Sequence, residues 1–322
     1  MPHLGNYLGA MRNWVALQEQ HEALFCVVDL HAMTLPWDPD ELRRQTVEVG
    51  ASLLAVGIDP ERSVVFIQSQ VPAHAELAWI LNCIGRMGEL RRMVQFKEKS
   101  KGESESVPVG LFTYPLLQAA DILLYRTNGV PVGEDQRQHI ELTRDVAQRF
   151  NSTFGETFVL PEAWIQPEVA RIMALDDPTQ KMSKSAARPA SSILLTDDRD
   201  EIERKIRSAV TDSGREVRAA DDKPALTNLL TIFSALASTP VEELEDRFAG
   251  KGYGAFKQEM GALIADHLEP IRMHYEELMQ DPSQIEKALG AGAERAAALA
   301  EGTLDAVREA VGLPLGGAKG GR

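Results

Sequence analysis

The chain has 322 residues, 44% hydrophobic and 25% charged, which is long enough for about two domains and excludes a fibrous or disordered composition. Its 48 acidic and 34 basic residues leave a net charge of −14, so indiscriminate binding of polyanions is excluded and nucleic-acid contact must come from local basic patches. No run of 18 apolar residues and no basic-then-apolar leader occur, and Cys26 and Cys83 sit in apolar contexts, read as buried reduced thiols. The expectation is a cytoplasmic protein with no membrane or DNA partner.

Taken in chain order, residues 6–21 place Leu8, Met11 and Val15 on one helical face. Residues 23–30 (ALFCVVDL) form a short apolar run with β-branched character, the pattern of a buried strand. DPDEL then offers Asp38 as N-cap and Pro39 at the first helical position, opening a helix that Gly57 closes. A strand is expected at 63–69 (SVVFIQS), helices at 73–87 and 109–125, a strand ending in a turn at 129–133 (GVPVG), and a helix at 136–150. Strands alternating with helices imply parallel pairing, hence an α/β doubly wound sheet with ligands at the carboxyl ends of its strands. Beyond about residue 190 the strand signals stop. Helices are expected at 197–209, 225–237, 241–248, 254–280 and 284–311, with Pro270 kinking or breaking the fourth and a frayed glycine-rich tail. The split is an α/β domain over 1–190 and an all-helical one over 191–322.

The strongest local signal is Lys181-Met182-Ser183-Lys184-Ser185, behind the turn DPTQ. Two lysines three apart, with the small hydroxyls of Ser183 and Ser185 beside them, make a compact cation cluster able to follow a polyphosphate. At the other end of the α/β domain, His3-Leu4-Gly5-Asn6 stands against a helix start, where backbone N–H groups and the helix dipole favour an anion. On its own it reads as a helix cap with a nearby surface histidine. Asp121 lies in the apolar helix TYPLLQAADILLY, where an unpartnered carboxylate is costly; pairing with an arginine or a helix N-terminus is the plain alternative to a ligand role. The run from Arg86 to Lys101 is basic, as is ERKIR at 203–207. Both read as patches for nucleic acid or as solvated faces.

KMSKS and HLGN are the two halves of the class I aminoacyl-tRNA synthetase signature. The chain resembles the tryptophanyl branch of that family over essentially its whole length. The resemblance also rests on VDLHAMT (28–34), FIQSQVPAHAEL (66–77), QFKEKS (95–100), TYPLLQAADILLY (113–125), VPVGEDQRQHIELTRDVAQRFN (130–151), ARIMALDDPTQKMSKS (170–185) and SAVTDS (208–213), in the family's order. It implies a Rossmann-like catalytic domain, a helical anticodon-binding domain and a homodimer. The implied reaction joins L-tryptophan to tRNA(Trp) through tryptophanyl-adenylate, with ATP as co-substrate, AMP and diphosphate released, and Mg²⁺ bound mainly by the phosphates. No covalent enzyme intermediate is required, so positioning and charge stabilisation carry the rate.

By the same resemblance His3 and Asn6 donate to phosphate oxygens, Gly5 permits close approach, and Lys181 and Lys184 hold the leaving diphosphate. Met182, Ser183 and Ser185 belong to the same loop, and Lys99 is a third cation. Gly133, Glu134 and Asp135 form the turn that faces the ATP ribose, although Asp135 also suits a helix cap, and Ile172 meets adenine through its backbone. On the amino-acid side Asp121 accepts the indole N–H, Tyr114 and Gln136 reach the amino group, and His31 lines the pocket. A buried acceptor of this kind discriminates by up to about 10⁴–10⁵-fold against an analogue lacking the donor.

Three features depart from the family pattern. The strand and S-G-x-Q-P-[ST]-G-like turn that normally precede HLGN are absent, which leads to the expectation of a truncated or misannotated start. Gln118 stands where methionine is usual, and AARP follows KMSKS where acidic residues are common. A tyrosyl-type specificity and a non-catalytic paralogue remain the alternatives at this point.

Overall fold

The computed structural model describes residues 1–93, 107–165, 172–183 and 188–314. Four short strands form where apolar residues cluster. β1 (Leu24–Val27) pairs in parallel with β2 (Val64–Ile67), Leu24 opposite Val64 through Val27 opposite Ile67. β3 (Gly129–Val132) pairs in parallel with β4 (Glu162–Ile165), Gly129 opposite Glu162. A parallel pair needs a long crossover, and each connection here contains a helix. Among the described residues the ladders are these two pairs, each two strands wide. β4 escapes the sequence reading because it has only four residues and lies in a proline-bounded stretch.

The helices are α1 (Leu4–Asn6), α2 (Arg12–Leu17), α3 (Asp29–Ala32), α4 (Pro39–Ala55), α5 (Ala73–Ile84), α6 (Met87–Arg92), α7 (Val109–Leu123) and α8 (Arg137–Phe154). They continue with α9 (Arg199–Ser208), α10 (Pro224–Ala237), α11 (Val241–Phe248), α12 (Gly252–Gln280) and α13 (Pro282–Val311). The N-terminal helical run begins at Leu4, two residues earlier than Asn6, and passes through a π-helical turn at Tyr7–Met11. That extra residue per turn rotates the face, so Leu8 and Met11 are buried while Val15 is only half-buried. α4 starts as expected, with Asp38 Oδ1 accepting from the N–H groups of Asp40 (3.0 Å) and Glu41 (2.9 Å), and Gly57 follows its end at φ +104°. Pro270 does not break α12: its face of Phe256, Met260, Ile264 and Leu268 is buried, and that packing outweighs the lost hydrogen bond. Among the described residues no single helix is long and apolar enough to cross a membrane.

Two compact units are built from interleaved segments. The first comprises residues 1–23, 47–63 and 168–286, the second 24–46, 64–167 and 287–322. A boundary at residue 190 was expected from sequence, and that position lies inside the first unit. The first unit centres on α9 to α12, where Phe233, Phe248 and Phe256 of α10, α11 and α12 pack ring against ring at 5.2–5.7 Å. Within it Lys205 of ERKIR is buried and ion-paired with Asp197 at 2.6 Å, so its role is internal rather than that of a solvated face. The second unit buries Phe66, Leu77, Leu81, Leu116, Ala120 and Phe150 against Ala296, Ala300 and Leu304 of α13. Gly292 makes this contact possible, since a Cβ there would stand 1.8 Å from the Val65 carbonyl oxygen. Arg308 of α13 clamps Glu76 with two bonds of 2.7 and 2.6 Å. Cys83 is exposed, contrary to the burial expected, because it falls on the outer face of α5 opposite Leu77 and Leu81.

Candidate active site

In the first unit, His3 is extended (φ −114°, ψ 167°) and serves as the N-cap of α1. Its Nδ1 accepts from the Asn6 backbone N–H (3.2 Å), while its own N–H donates to Asn6 Oδ1 (3.1 Å), a reciprocal capping box. The turn is fastened from outside as well: Leu4 N–H donates to the Ile193 carbonyl (2.8 Å) and Leu195 N–H to that of Pro2 (3.1 Å). With Nδ1 an acceptor, the ring proton sits on Nε2. Burial, with the positive charge of Lys181, lowers the His3 pKa to about 4. At neutral pH the residue is therefore an uncharged Nε2–H donor. Asn6 has its oxygen committed in the same way, leaving the amide N–H groups of its exposed side chain to donate.

The segment leading to the lysine loop folds back as a hairpin. Met173 and Lys181 form an antiparallel bridge, Ala174 N–H donates to the Gln180 carbonyl (2.8 Å), and Met182 N–H to that of Ile172 (3.0 Å). Its turn is closed by Asp177, which accepts from Thr179 N–H (2.9 Å) and Oγ1 (2.6 Å). Asn228 on α10 takes both backbone groups of Met173, accepting from its N–H (2.8 Å) and donating to its carbonyl (3.0 Å). Ile172 and Met182 are buried, Ser183 is half-buried and Lys181 is exposed. A Cβ on Gly5 would meet the His3 ring at 3.0 Å and Ile172 at 3.5 Å, so the glycine leaves room where the turn and the hairpin converge. Thus His3, Gly5, Asn6, Ile172, Lys181, Met182 and Ser183 belong to one unit. Lys99, Lys184 and Ser185 lie outside the described residues.

The second unit holds the amino-acid candidates. Asp121 Oδ2 meets His31 Nε2 at 2.8 Å, and Oδ1 meets both His74 Nδ1 (2.6 Å) and Gln68 Nε2 (2.7 Å). Its partners are neither an arginine nor a helix N-terminus, as the plain alternative had it, but two imidazoles and an amide. Burial pushes the carboxyl pKa up, yet the hydrogen bonds from His31 and His74 outweigh it and hold the pKa below the usual range. Asp121 is therefore an ionised acceptor. His31 also packs edge-on to Tyr114 (6.1 Å), whose hydroxyl meets His139 Nε2 at 2.9 Å. His31, Tyr114 and Asp121 thus form one cluster, with His31 touching the carboxylate directly.

The turn after β3 presents Gly133, Glu134 and Asp135 exposed and Gln136 half-buried. Asp135 folds over Gly133, where a Cβ would stand 2.7 Å from its Oδ1, and its Oδ2 accepts from Gln136 Nε2 (3.0 Å). Glu134 is engaged by Arg137 through two bonds (2.6 and 2.8 Å). Gln68, His74, Tyr125 and Asn228 drew no role from sequence. For three of them a signal exists: each is a polar group within an apolar strand or helix (VVFIQ, AHAELAW, ADILLY).

Residues 1–269 match the family described as tRNA synthetases class I (W and Y). The chain is 55% identical over 314 residues to the tryptophan–tRNA ligase of Caldanaerobacter subterraneus subsp. tengcongensis, covering 97% of this chain and 95% of that one. It is 53% identical to tryptophan–tRNA ligase 2 of Streptomyces avermitilis, covering 97% and 93%. The tryptophanyl-tRNA synthetase structure from Mycoplasma pneumoniae superposes with a TM-score of 0.86 at 38% identity, covering 97% of this chain and 94% of that one. The Campylobacter jejuni tryptophanyl-tRNA synthetase, in a complex with ADP and tryptophan, does so at 0.84 and 36%, covering 97% and 96%. The α/β fold is accordingly the Rossmann-like one of those enzymes. On these grounds the chain belongs to the class I tRNA synthetases, in their tryptophan–tRNA ligase branch.

Proposed function

We propose that this protein activates L-tryptophan with ATP and transfers it to tRNA(Trp). A carboxylate oxygen of tryptophan attacks the α-phosphorus, the bond to the bridging oxygen breaks, and diphosphate leaves. A ribose hydroxyl at the tRNA 3′ end then attacks the adenylate carbonyl and AMP departs. Neither step needs a protein nucleophile, so the chain's task is to position reactants and neutralise developing charge.

His3 Nε2–H and the Asn6 amide donate to phosphate oxygens, and Lys181, with Lys184, draws off the diphosphate charge. The turn of Gly133, Glu134 and Asp135 takes the ribose, with Lys99 and Ser185 completing the phosphate contacts. Asp121 accepts the indole N–H, and Tyr114 and Gln136 take the ammonium. The donors around His3 are N–H groups and a lysine, which suits a phosphate and not a metal ion. Mg²⁺ then arrives on the phosphates, whose charge it offsets. The helices of residues 191–322 read the anticodon of tRNA(Trp). A homodimer fits the exposed Trp79, Met87 and Val109 of the second unit, and the absence of a long apolar helix among the described residues accords with a cytoplasmic enzyme.

The observation that carries the reading is the assembly of the His3 turn and the Lys181 hairpin in one unit, close enough for the lysine charge to act on the imidazole. The test is ATP–pyrophosphate exchange with tryptophan, tyrosine and phenylalanine as alternative substrates. Tryptophan alone supports exchange at low concentration; exchange driven by tyrosine instead would overturn the assignment.

A further inference from the structure

The Asp121 carboxylate is held by more than the residue beside which its ligand would bind. Behind it run Tyr125, whose hydroxyl lies 2.7 Å from His74 Nε2, and His74, whose Nδ1 lies 2.6 Å from Oδ1. Gln68 Nε2 approaches the same oxygen at 2.7 Å. Gln68 and His74 are fully buried (both 0% exposed), and the rings of Phe66, His74 and Tyr125 pack together with centroids 5.6–5.8 Å apart. We infer that Gln68, His74 and Tyr125 are positioning residues for substrate selection, fixing the Asp121 carboxylate so that one acceptor site on Oδ2 is aimed at the indole N–H. The inference rests on the reading of Asp121 as the indole acceptor.

The hydrogen-bond inventory sets the directions. A carboxylate offers about four acceptor sites. Two on Oδ1 are filled by His74 and Gln68, and one on Oδ2 by His31, which leaves a single site on Oδ2. Burial raises the Tyr125 pKa far above its usual value, so its hydroxyl keeps its proton. That proton goes to His74 Nε2, and the remaining ring proton on Nδ1 points at Asp121. Were Tyr125 absent, the imidazole could place its proton on either nitrogen, and half of its tautomers would set lone pair against lone pair. Gln68 is held in the same sense, because only its amide N–H₂ can face an acceptor-only carboxylate. Its Oε1 is then left buried with no hydrogen-bond partner among the described residues. That buried orphan acceptor is a cost the fold bears to keep the amide N–H₂ on the carboxylate.

The experiment measures exchange by the full chain with L-tryptophan and with β-(3-benzothienyl)alanine, the sulfur isostere that lacks the indole N–H. The ratio of their kcat/KM values reports the N–H bond alone. In Gln68→Met and His74→Leu the ratio falls about tenfold, the loss of a charge-assisted hydrogen bond's geometry, while KM for ATP stays unchanged. His74→Asn, which retains an N–H donor toward Oδ1, recovers most of the ratio. Tyr125→Phe removes one oxygen without disturbing the packed ring, keeps the melting temperature close to wild type, and lowers the ratio by a smaller factor. A role limited to holding the fold would lower stability and leave the ratio alone. A wild-type ratio in Gln68→Met and Tyr125→Phe, beside a collapsed ratio in Asp121→Asn, overturns the inference and leaves Asp121 in its role. A ratio untouched by Asp121→Asn overturns the reading of Asp121, and the inference with it.

Discussion

His3 carries a pH signature that can be measured without any substrate. Its pKa falls from the ordinary imidazole value of 6.5 to about 4 in the folded chain. Below pH 6.5 the unfolded chain binds a proton that the folded chain refuses until about pH 4, so the unfolded state is the better proton binder in that window. The stabilisation is complete above 6.5 and is lost progressively as pH falls towards 4. At about 1.4 kcal/mol per pH unit, the interval is worth about 3 kcal/mol. The structural cause is specific: protonation at Nδ1 turns the acceptor of the Asn6 N–H into a donor and breaks the capping box. Urea unfolding of the wild type and of His3→Asn, from pH 7.5 down to about 4, isolates this residue. Asparagine caps a helix well but does not titrate in this range. The stability difference between the two proteins should be flat above pH 6.5 and shrink by about 3 kcal/mol by pH 4. A difference that stays constant down to pH 4 would refute the argument, because the carboxylates that titrate in both proteins cancel in it.

Gly292→Ala forces a Cβ against the Val65 carbonyl and should destabilise by about 1–3 kcal/mol in urea unfolding. Gly290→Ala, two residues away with nothing within 4 Å of its Cβ, should be neutral or stabilise by up to about 1 kcal/mol. Asn228→Ala frees both backbone groups of Met173 and should raise KM for ATP several-fold in steady-state exchange while KM for tryptophan stays put. Lys205→Ala strands the Asp197 carboxylate in the first unit and should lower stability by about 3–5 kcal/mol, with part of the loss restored by adding Asp197→Asn.

What could be read from sequence was local or carried by motif. Asp38 and Pro39 announce α4 because an N-cap satisfies its donors within three residues. The β1 and β2 runs declare themselves through β-branched composition. The partners of Asp121 could not be read, since His31, Gln68, His74 and Tyr125 come from separated stretches that only the fold gathers. Local apolarity also misleads at Cys83, where composition says nothing of which helix face a residue takes. The π-turn at Tyr7–Met11 shifts the burial of Val15 by a rotation that a 3.6-residue period does not contain. Pro270 shows the converse, a strong local breaker overridden by an apolar face of tertiary contacts.

The interleaved units bear on how the chain acquires its structure during synthesis. The polypeptide passes from one unit to the other at five points, after residues 23, 46, 63, 167 and 286. Neither unit is complete when the first half of the chain has left the ribosome. The first waits for residues 168–286, and the second for α13, whose alanine face covers Phe66 and Leu116. Until then the strands of the nascent second unit expose an apolar surface on which chaperones or a premature encounter with another copy can act. The last thirty-odd residues thus act as a clasp on work begun at residue 24, and a chain released before they are added would carry both motif regions with one core still open.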